Sequence, residues 1–256
     1  IHLEQLGERD WQTRDSLKDL GVLYVVMNRF DEAELLLKKV SKYGILKDLD
    51  PDALYTKSTL GLMYIEMERY EDAEPLFDEL RVSIQSLQDV SDPKMLRVMN
   101  HLTGWYFLSG HHNEAKQLCD KILKLGSKSA SEGHPEVQLA KRHLAILLST
   151  CPEDPVRDGE RAVELATDLC EQTNWMNYDY LDILAAAYAE IDDFGAAVKW
   201  GNNAIELLPE DTDPETRASM QKRLEQYKLH KPHRFKPEKT EFDLTLEFTQ
   251  IHPQSG

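Results

Sequence analysis

A pattern of apolar, small and polar positions recurs five times along the chain with nearly constant offsets. In its second copy the pattern runs from Leu60-Gly61 to Tyr64 and then through Arg69-Tyr70-Glu71-Asp72-Ala73-Glu74. A small residue is followed three positions later by a tyrosine, and a short polar stretch then precedes an alanine beside acidic residues. The other copies begin at Leu20, Leu102, Leu144 and Leu184. A unit repeated at a period of tens of residues is typical of a solenoid of stacked supersecondary units.

Each repeated unit is predicted to contain two antiparallel helices. A small residue midway along the first helix lets a second helix approach closely. Glycine lowers helix stability by about 1 kcal/mol relative to alanine, so close packing is the reason to keep a glycine at this position. The tyrosine fills the space between neighbouring helices, and the alanine marks the place where the second helix crosses the first. The small positions are Gly21, Gly61, Thr103, Ala145 and Ala185, and the crossing positions are Ala33, Ala73, Ala115, Ala162 and Ala197.

The fold class predicted from this pattern is all-α, with ten repeat helices in five pairs, a final capping helix and no central sheet. Each new first helix is expected to begin where proline or small polar residues interrupt the pattern. These places are Asp50-Pro51, Asp92-Pro93, His134-Pro135 and residues 174–177.

The repeated positions resemble the consensus of the tetratricopeptide repeat over roughly residues 12–208. The tyrosine positions, with Leu148 in the fourth unit, are 40, 42, 42 and 40 residues apart, whereas the standard repeat has about 34 residues. Longer units with a turn like that at 69–74 resemble the extended, kinesin-light-chain-like repeats of bacterial proteins. The resemblance implies a right-handed superhelical α-solenoid that binds proteins and is not an enzyme.

The chain is predicted to divide at residue 229. Residues 1–229 form the repeat domain, whose capping helix carries Met220, Leu224 and Tyr227 on one stripe. Residues 230–256 form an extended or partly disordered tail that begins with a basic segment. Apolar and polar residues alternate from 242 to 249, the period of one possible strand. Three interpretations of this tail stay open, namely docking in the chain's own groove, pairing with a second chain or domain, and mobility.

The charge balance narrows the kinds of partner. Lysine and arginine total 30 against 46 acidic residues, a net charge of −16. This balance argues against nucleic-acid binding, because a basic surface is needed to displace counterions from phosphates. There is no apolar run of about 18 residues and no visible secretory signal, so a cytoplasmic protein without a membrane span is expected. The chain begins at Ile1 and not at methionine, which leaves an upstream segment open.

No motif for catalysis, a cofactor or a metal ion was found in the sequence. A Gly-x-Ser-x-Gly motif, a glycine-rich phosphate loop and a His-Glu-x-x-His motif are absent, so no catalytic residue is predicted. Cys119, Cys151 and Cys170 form no Cys-x-x-Cys pair, and they are predicted to be buried hydrophobic residues in a reducing compartment. No zinc site is expected at His101, His111, His112 and Cys119, since no regular pair places them on one helix face.

The resemblance places the partner-binding surface on the first helix of each pair, which lines the concave face of tetratricopeptide superhelices. The positions about one turn before each small residue, beside it and one turn after it are predicted to be exposed there, and they are candidates for binding an extended peptide with acidic and apolar groups. A chaperone-type carboxylate clamp is rejected, because Val22 stands where its asparagine is required. The candidates are Lys18, Tyr55, Ser58, Arg97, Asn100, Phe107 and Arg142.

Two functional classes follow. The first is an interaction scaffold that binds a protein or an extended peptide. The second is a regulatory or targeting repeat region of a larger bacterial signalling enzyme, such as a Ser/Thr kinase. The sequence upstream of Ile1 would distinguish these two classes. The oligomeric state does not follow from the sequence.

Overall fold

Eleven helices and one 3₁₀ turn make up the regular structure of the part of the chain that the structure describes. The structure is a computed structural model, and it describes residues 10–43, 50–85, 87, 92–129 and 134–235. No strand occurs within these residues. The helices are α1 (Trp11–Val26), α2 (Phe30–Tyr43), α3 (Pro51–Glu66), α4 (Tyr70–Gln85), α5 (Pro93–Leu108), α6 (His112–Ser129), α7 (Pro135–Thr150), α8 (Gly159–Gln172), α9 (Tyr178–Glu190), α10 (Phe194–Glu206) and α11 (Pro214–Lys228).

The starts of the first helices agree with the sequence pattern. Helices α3, α5 and α7 begin at the predicted prolines, where the missing N–H removes no helical hydrogen bond. Asp50 caps α3 by accepting a hydrogen bond from the N–H of Asp52 at 3.1 Å, and Asn177 caps α9 through its side chain. The predicted number of ten repeat helices and one capping helix is confirmed for the described residues.

A common turn joins the two helices of four of the five pairs. The residue four positions after each repeat tyrosine has a positive φ, with values of 56° at Asn28, 59° at Glu68, 76° at Gly110 and 62° at Asp192. The next N–H then donates a hydrogen bond back to the tyrosine carbonyl, for example from Arg69 to Tyr64 at 2.8 Å. This left-handed exit ends the first helix and redirects the chain into the second helix.

The described residues fall into two compact units, which divide between Trp105 and Tyr106. In the N-terminal unit, Phe77 of α4 fills the space beside Gly61 of α3. A Cβ atom on Gly61 would lie 2.7 Å from Cε2 of Phe77, and the Phe77 ring stacks on Trp105 with centroids 5.2 Å apart. The predicted close approach at this glycine is therefore confirmed.

In the C-terminal unit, α11 covers the last repeat pair. Its Met220, Leu224 and Tyr227 are buried, and Leu224 lies against Gly201 of α10, where an added Cβ would be 3.2 Å from Leu224 Cδ1. The predicted apolar stripe of the capping helix is thus confirmed. Cys119, Cys151 and Cys170 are buried and form no disulfide.

The predicted strand within 242–249 lies outside the described residues. None of the described helices is both long and apolar enough to cross a membrane.

Candidate functional site

Within the C-terminal unit, residues 231–235 lie against the C-terminal ends of α5, α7 and α9. We call these residues the tail segment. The N–H of Phe235 donates a hydrogen bond to the carbonyl oxygen of Thr150, the last residue of α7, at 3.0 Å. The guanidinium of Arg234 lies 2.6 Å from a carboxylate oxygen of Glu190, the last residue of α9. Both polar anchors of the tail segment are therefore at helix ends.

The end of α11 directs the chain into this position. His230 has a positive φ of 56°, and the N–H of Lys231 donates to the carbonyl of Gln226 at 2.9 Å. The ring of His230 stacks on Phe194 at the start of α10, with centroids 5.1 Å apart and planes 10° from parallel. The left-handed residue ends α11, and the stacked ring fixes the direction in which the tail segment leaves it.

The side chain of Phe235 occupies an aromatic pocket. Its ring lies 4.9 Å from the ring of Phe107 and 5.3 Å from the ring of His112, which it meets edge to face. Phe235 is 5 % exposed and both pocket residues are 4 % exposed. His112 is held by Glu153, with 3.0 Å between Nδ1 and a carboxylate oxygen. Phe107 and His112 also meet each other edge to face, with centroids 6.3 Å apart, and Phe235 fills the pocket that they form.

The carboxylate of Glu190 pairs with two arginines. Arg157 Nε donates to one oxygen at 2.8 Å, and Arg234 approaches the other oxygen. Arg157 is itself anchored by a hydrogen bond to the carbonyl of Cys151 at 2.8 Å. Gly159 permits this close approach, since an added Cβ would lie 2.9 Å from Cγ of Glu190. We call the surface formed by Phe107, His112, Ser149, Thr150, Glu153 and Glu190 the tail site.

An irregular fourth repeat builds much of the tail site. In the other four pairs the second helix begins six residues after the tyrosine position, but α8 begins at Gly159, eleven residues after Leu148. The N–H of Asp158 still donates to the carbonyl of Leu148 at 2.9 Å, so the extra residues form a loop on an otherwise normal turn. This loop contains the 3₁₀ turn Asp154–Val156 and supplies Glu153 and Arg157. The insertion therefore converts a connecting turn into one wall of the site.

The tail segment carries a histidine that is held neutral. Burial, together with the nearby positive charges of Arg223, Arg234 and Lys222, lowers the pKa of His233 to about 4. At neutral pH His233 is therefore uncharged, and Arg234 is the residue of the tail segment that pairs its positive charge with Glu190.

Lys18, a candidate from the sequence, lies in an ion-pair cluster of the N-terminal unit. Its ammonium is 2.5 Å from Asp15 and 3.0 Å from Asp52, and Asp52 also pairs with Lys94 at 2.7 Å. Burial disfavours the charged lysine, but the hydrogen bonds to Asp15 and Asp52 outweigh this effect and raise the pKa of Lys18. The lysine already has carboxylate partners within its own chain.

Four other candidates, Tyr55, Ser58, Arg97 and Asn100, lie on α3 and α5 in the N-terminal unit. Ser58 Oγ is 2.8 Å from Nδ1 of His101, and the guanidinium carbon of Arg97 lies 5.9 Å from the Tyr55 ring centroid. The structure thus brings the tyrosine, the serine and the arginine together around His101. Asn100 is fully buried on α5.

The last two candidates lie in the C-terminal unit. Phe107 forms part of the aromatic pocket described above. Arg142 makes a bidentate pair with Asp179, with 2.6 Å from Nε and 3.1 Å from Nη2 to the two carboxylate oxygens. Phe107 contacts the tail segment through Phe235.

The expected exposure of these candidates is wrong for six of the seven. Lys18, Tyr55, Ser58, Asn100, Phe107 and Arg142 are each 7 % exposed or less, and Arg97 is half-buried. In these longer repeats the positions around the small residue pack between helices, where polar groups need partners within the fold. Their role in binding a partner stays a prediction.

The sequence analysis missed Thr150, Glu190 and the pocket position of Phe235. The contrast between a basic tail and an acidic body does indicate that a basic tail residue such as Arg234 pairs with an acidic residue of the body. The contact at Thr150 could not be predicted from the pattern of side chains, because Thr150 accepts the hydrogen bond through its main-chain carbonyl.

Comparison with known proteins supports the fold. No family model matches the chain, and no curated protein matches it. Among solved structures, a "Podosopora anserina putative kinesin light chain" with "nearly identical TPR-like repeats" has a TM-score of 0.60 at 18% identity, over 75% of this chain and 93% of that chain. "MamA MSR-1 C2" has a TM-score of 0.51 at 15% identity, over 76% of this chain and 95% of that one. Yeast Tom70 has a TM-score of 0.56 at 15% identity, over 89% of this chain and 41% of Tom70.

These similarities and the helix pairs agree on one fold. The chain has the fold of a helical repeat solenoid, like that of these repeat structures. The bacterial origin inferred from the repeat length stays a prediction.

Proposed function

We propose that this chain is a protein-binding scaffold that holds an extended peptide across the C-terminal ends of its first helices. One observation carries the proposal, namely that residues 231–235 already lie there without helical structure and are held by the chain. A main-chain hydrogen bond, a side-chain pocket and a charge pair are the three elements with which proteins bind extended peptides. The tail segment uses all three.

The packing of the first helices supports a continuous binding surface. Helices α7 and α9 pack against each other as well as against their own partners α8 and α10. Their last residues, Thr150 and Glu190, therefore follow one another along the tail segment. First helices line the concave face of tetratricopeptide superhelices, and we propose that face for the partner.

A selection of random displayed peptides against the immobilised full chain with Arg234→Ala and Phe235→Ala, which removes the two anchoring side chains of the tail segment, tests the proposal. We expect families of peptides that bind with micromolar affinity in fluorescence anisotropy and that fail to bind the urea-unfolded chain. A photo-crosslinker in these peptides should label α7, α9 or the C-terminal end of α5. Labelling confined to the second helices would contradict the proposed surface, and a selection without enriched peptides would contradict the function.

A further inference from the structure

We infer that the tail site recognises peptides in which an arginine directly precedes an aromatic residue, and that the chain's own Arg234-Phe235 is a competing internal ligand. This inference rests on the proposed function and specifies its ligand. It differs from the sequence prediction of an acidic and apolar peptide, because Arg234 of the tail segment lies against the carboxylate of Glu190 and the carbonyl oxygen of Ser149.

The aromatic position is defined by the pocket of Phe107 and His112. Phe235 is almost fully buried between these rings, at centroid distances of 4.9 Å and 5.3 Å. Edge-to-face and tilted ring pairs at such distances are favourable beyond the burial of apolar area. An aliphatic residue would lose the ring interactions, and alanine would leave the pocket empty.

The arginine position is defined by two helix ends. Arg234 Nη2 lies 2.6 Å from Glu190, and Nη1 is 3.4 Å from the carbonyl of Ser149. The last carbonyls of α7 and the carboxylate at the end of α9 carry negative charge or partial negative charge, which favours a cation. The planar guanidinium reaches both groups at once, through a hydrogen bond to the Ser149 carbonyl and an ion pair with Glu190, whereas the ammonium of lysine is a single point of charge. We therefore expect the site to prefer arginine over lysine.

The backbone fixes the register of the ligand. Thr150 accepts a hydrogen bond from the N–H of the aromatic residue, so proline is excluded at that position. This bond also sets the spacing, since the residue before the aromatic one is then placed at Glu190. Recognition consequently depends on the order arginine–aromatic.

The internal ligand reduces binding of an external one. The tail segment is joined to α11 by His230, and a short connection gives a tethered ligand an effective concentration of about millimolar. A free peptide of the same sequence must compete with that concentration, so the intact chain should bind such a peptide weakly.

The experiment measures binding of a fluorescent peptide that reproduces residues 229–237 to the full chain. In the variant with Arg234→Ala and Phe235→Ala the tail site is vacated, and we expect binding at least about tenfold tighter than to the unchanged chain. The matched control is Lys231→Ala, which removes one positive charge from an exposed residue of the same segment that lies outside the tail site. This control should bind like the unchanged chain, and equal binding by all three proteins would overturn the internal-ligand inference.

Changes in the peptide test the specificity without touching the fold of the protein. Replacing the arginine of the peptide by lysine, or its phenylalanine by alanine, should each weaken binding to the vacated variant by about tenfold, or 1.4 kcal/mol. Adding Glu190→Gln to the vacated variant should reduce the preference for arginine over lysine. A peptide with the arginine and phenylalanine exchanged should bind no better than a scrambled one. Equal binding of all these peptides would overturn the recognition rule.

The outcomes separate this inference from the proposed function. If the peptide of residues 229–237 fails to bind the vacated variant while selected random peptides bind the chain, the inference is wrong and the scaffold function stands. If neither kind of peptide binds, both are wrong.

Discussion

At the scale of single residues, several buried histidines are held in their neutral form. Burial and the nearby charge of Arg97 lower the pKa of His101 to about 3. Burial also lowers the pKa of His143 well below its ordinary value, with a contribution from Arg142. These rings lie between helices, where protonation would place a charge in a poorly solvated position. The repeat interior therefore contains groups that resist protonation while the chain is folded.

The first prediction concerns the pH dependence of stability that His101 causes. Below pH 6.5 the unfolded chain binds a proton at this histidine that the folded chain does not bind until about pH 3. Stability is therefore lost as the pH falls through this window, at up to about 1.4 kcal/mol per pH unit for such a group. Replacing His101 by glutamine should flatten the decrease of the melting temperature between pH 7 and pH 5, while an amide can still bond Ser58.

His111→Gln is the matched control for this prediction. His111 is exposed, so its replacement should leave the slope of melting temperature against pH unchanged. An unchanged slope in the His101 variant as well would show that its protonation is not coupled to unfolding.

At the scale of the elements, local sequence signals account for the helices and their turns. Proline and capping residues mark the helix starts, and the small residue and the alanine mark the contacts within each pair. These are short-range features, so the repeat pattern predicts the fold. The five-residue insertion before Gly159 is visible in the sequence, but its role in holding Glu190 depends on which helix end faces it.

The candidate site was less predictable than the fold, because its contacts join residues that are far apart in the sequence. The sequence pattern predicts Arg142 and Lys18 as exposed donors, yet each has an acidic partner more than thirty residues away in sequence, Asp179 and Asp52. Such long-range pairs follow from the stacking of successive repeats and have no local signature. The contact between Phe107 and Phe235 spans a still longer stretch of chain.

The second prediction tests the packing of one helix pair. Gly61→Leu places a side chain where Phe77 already lies, at 2.7 Å from the first added carbon, and should lower the free energy of unfolding by roughly 1–3 kcal/mol or more. Gly195→Leu is the control, because among the described residues the nearest atom across from an added Cβ there is Asp193 Oδ1, at 3.5 Å. Thermal melting should fall for the first variant only, and equal melting temperatures would contradict the assigned helix contact.

At the scale of the whole molecule, the repeat architecture limits how far a local change can spread. Each pair of a solenoid contacts only its neighbours, so stability is approximately a sum of repeat and interface contributions. In the C-terminal unit, α11 packs against α10, while α6 packs against α7 at the other end of the same unit. A lesion in the capping helix should therefore affect α10 and α11 more than α6.

Leu224→Ala provides the test of this expectation. Leu224 is 6 % exposed, and its truncation should lower the local free energy of unfolding by about 2–5 kcal/mol through lost burial and a residual cavity. Amide hydrogen exchange should accelerate in α10 and α11 and remain slow in α6. Leu229→Ala, at a side chain that is 68 % exposed just beyond α11, should leave exchange unchanged in all three helices. If Leu224→Ala instead accelerated exchange in α6 by the same factor, the unit would unfold in a single step, and stability could not be divided among its repeats.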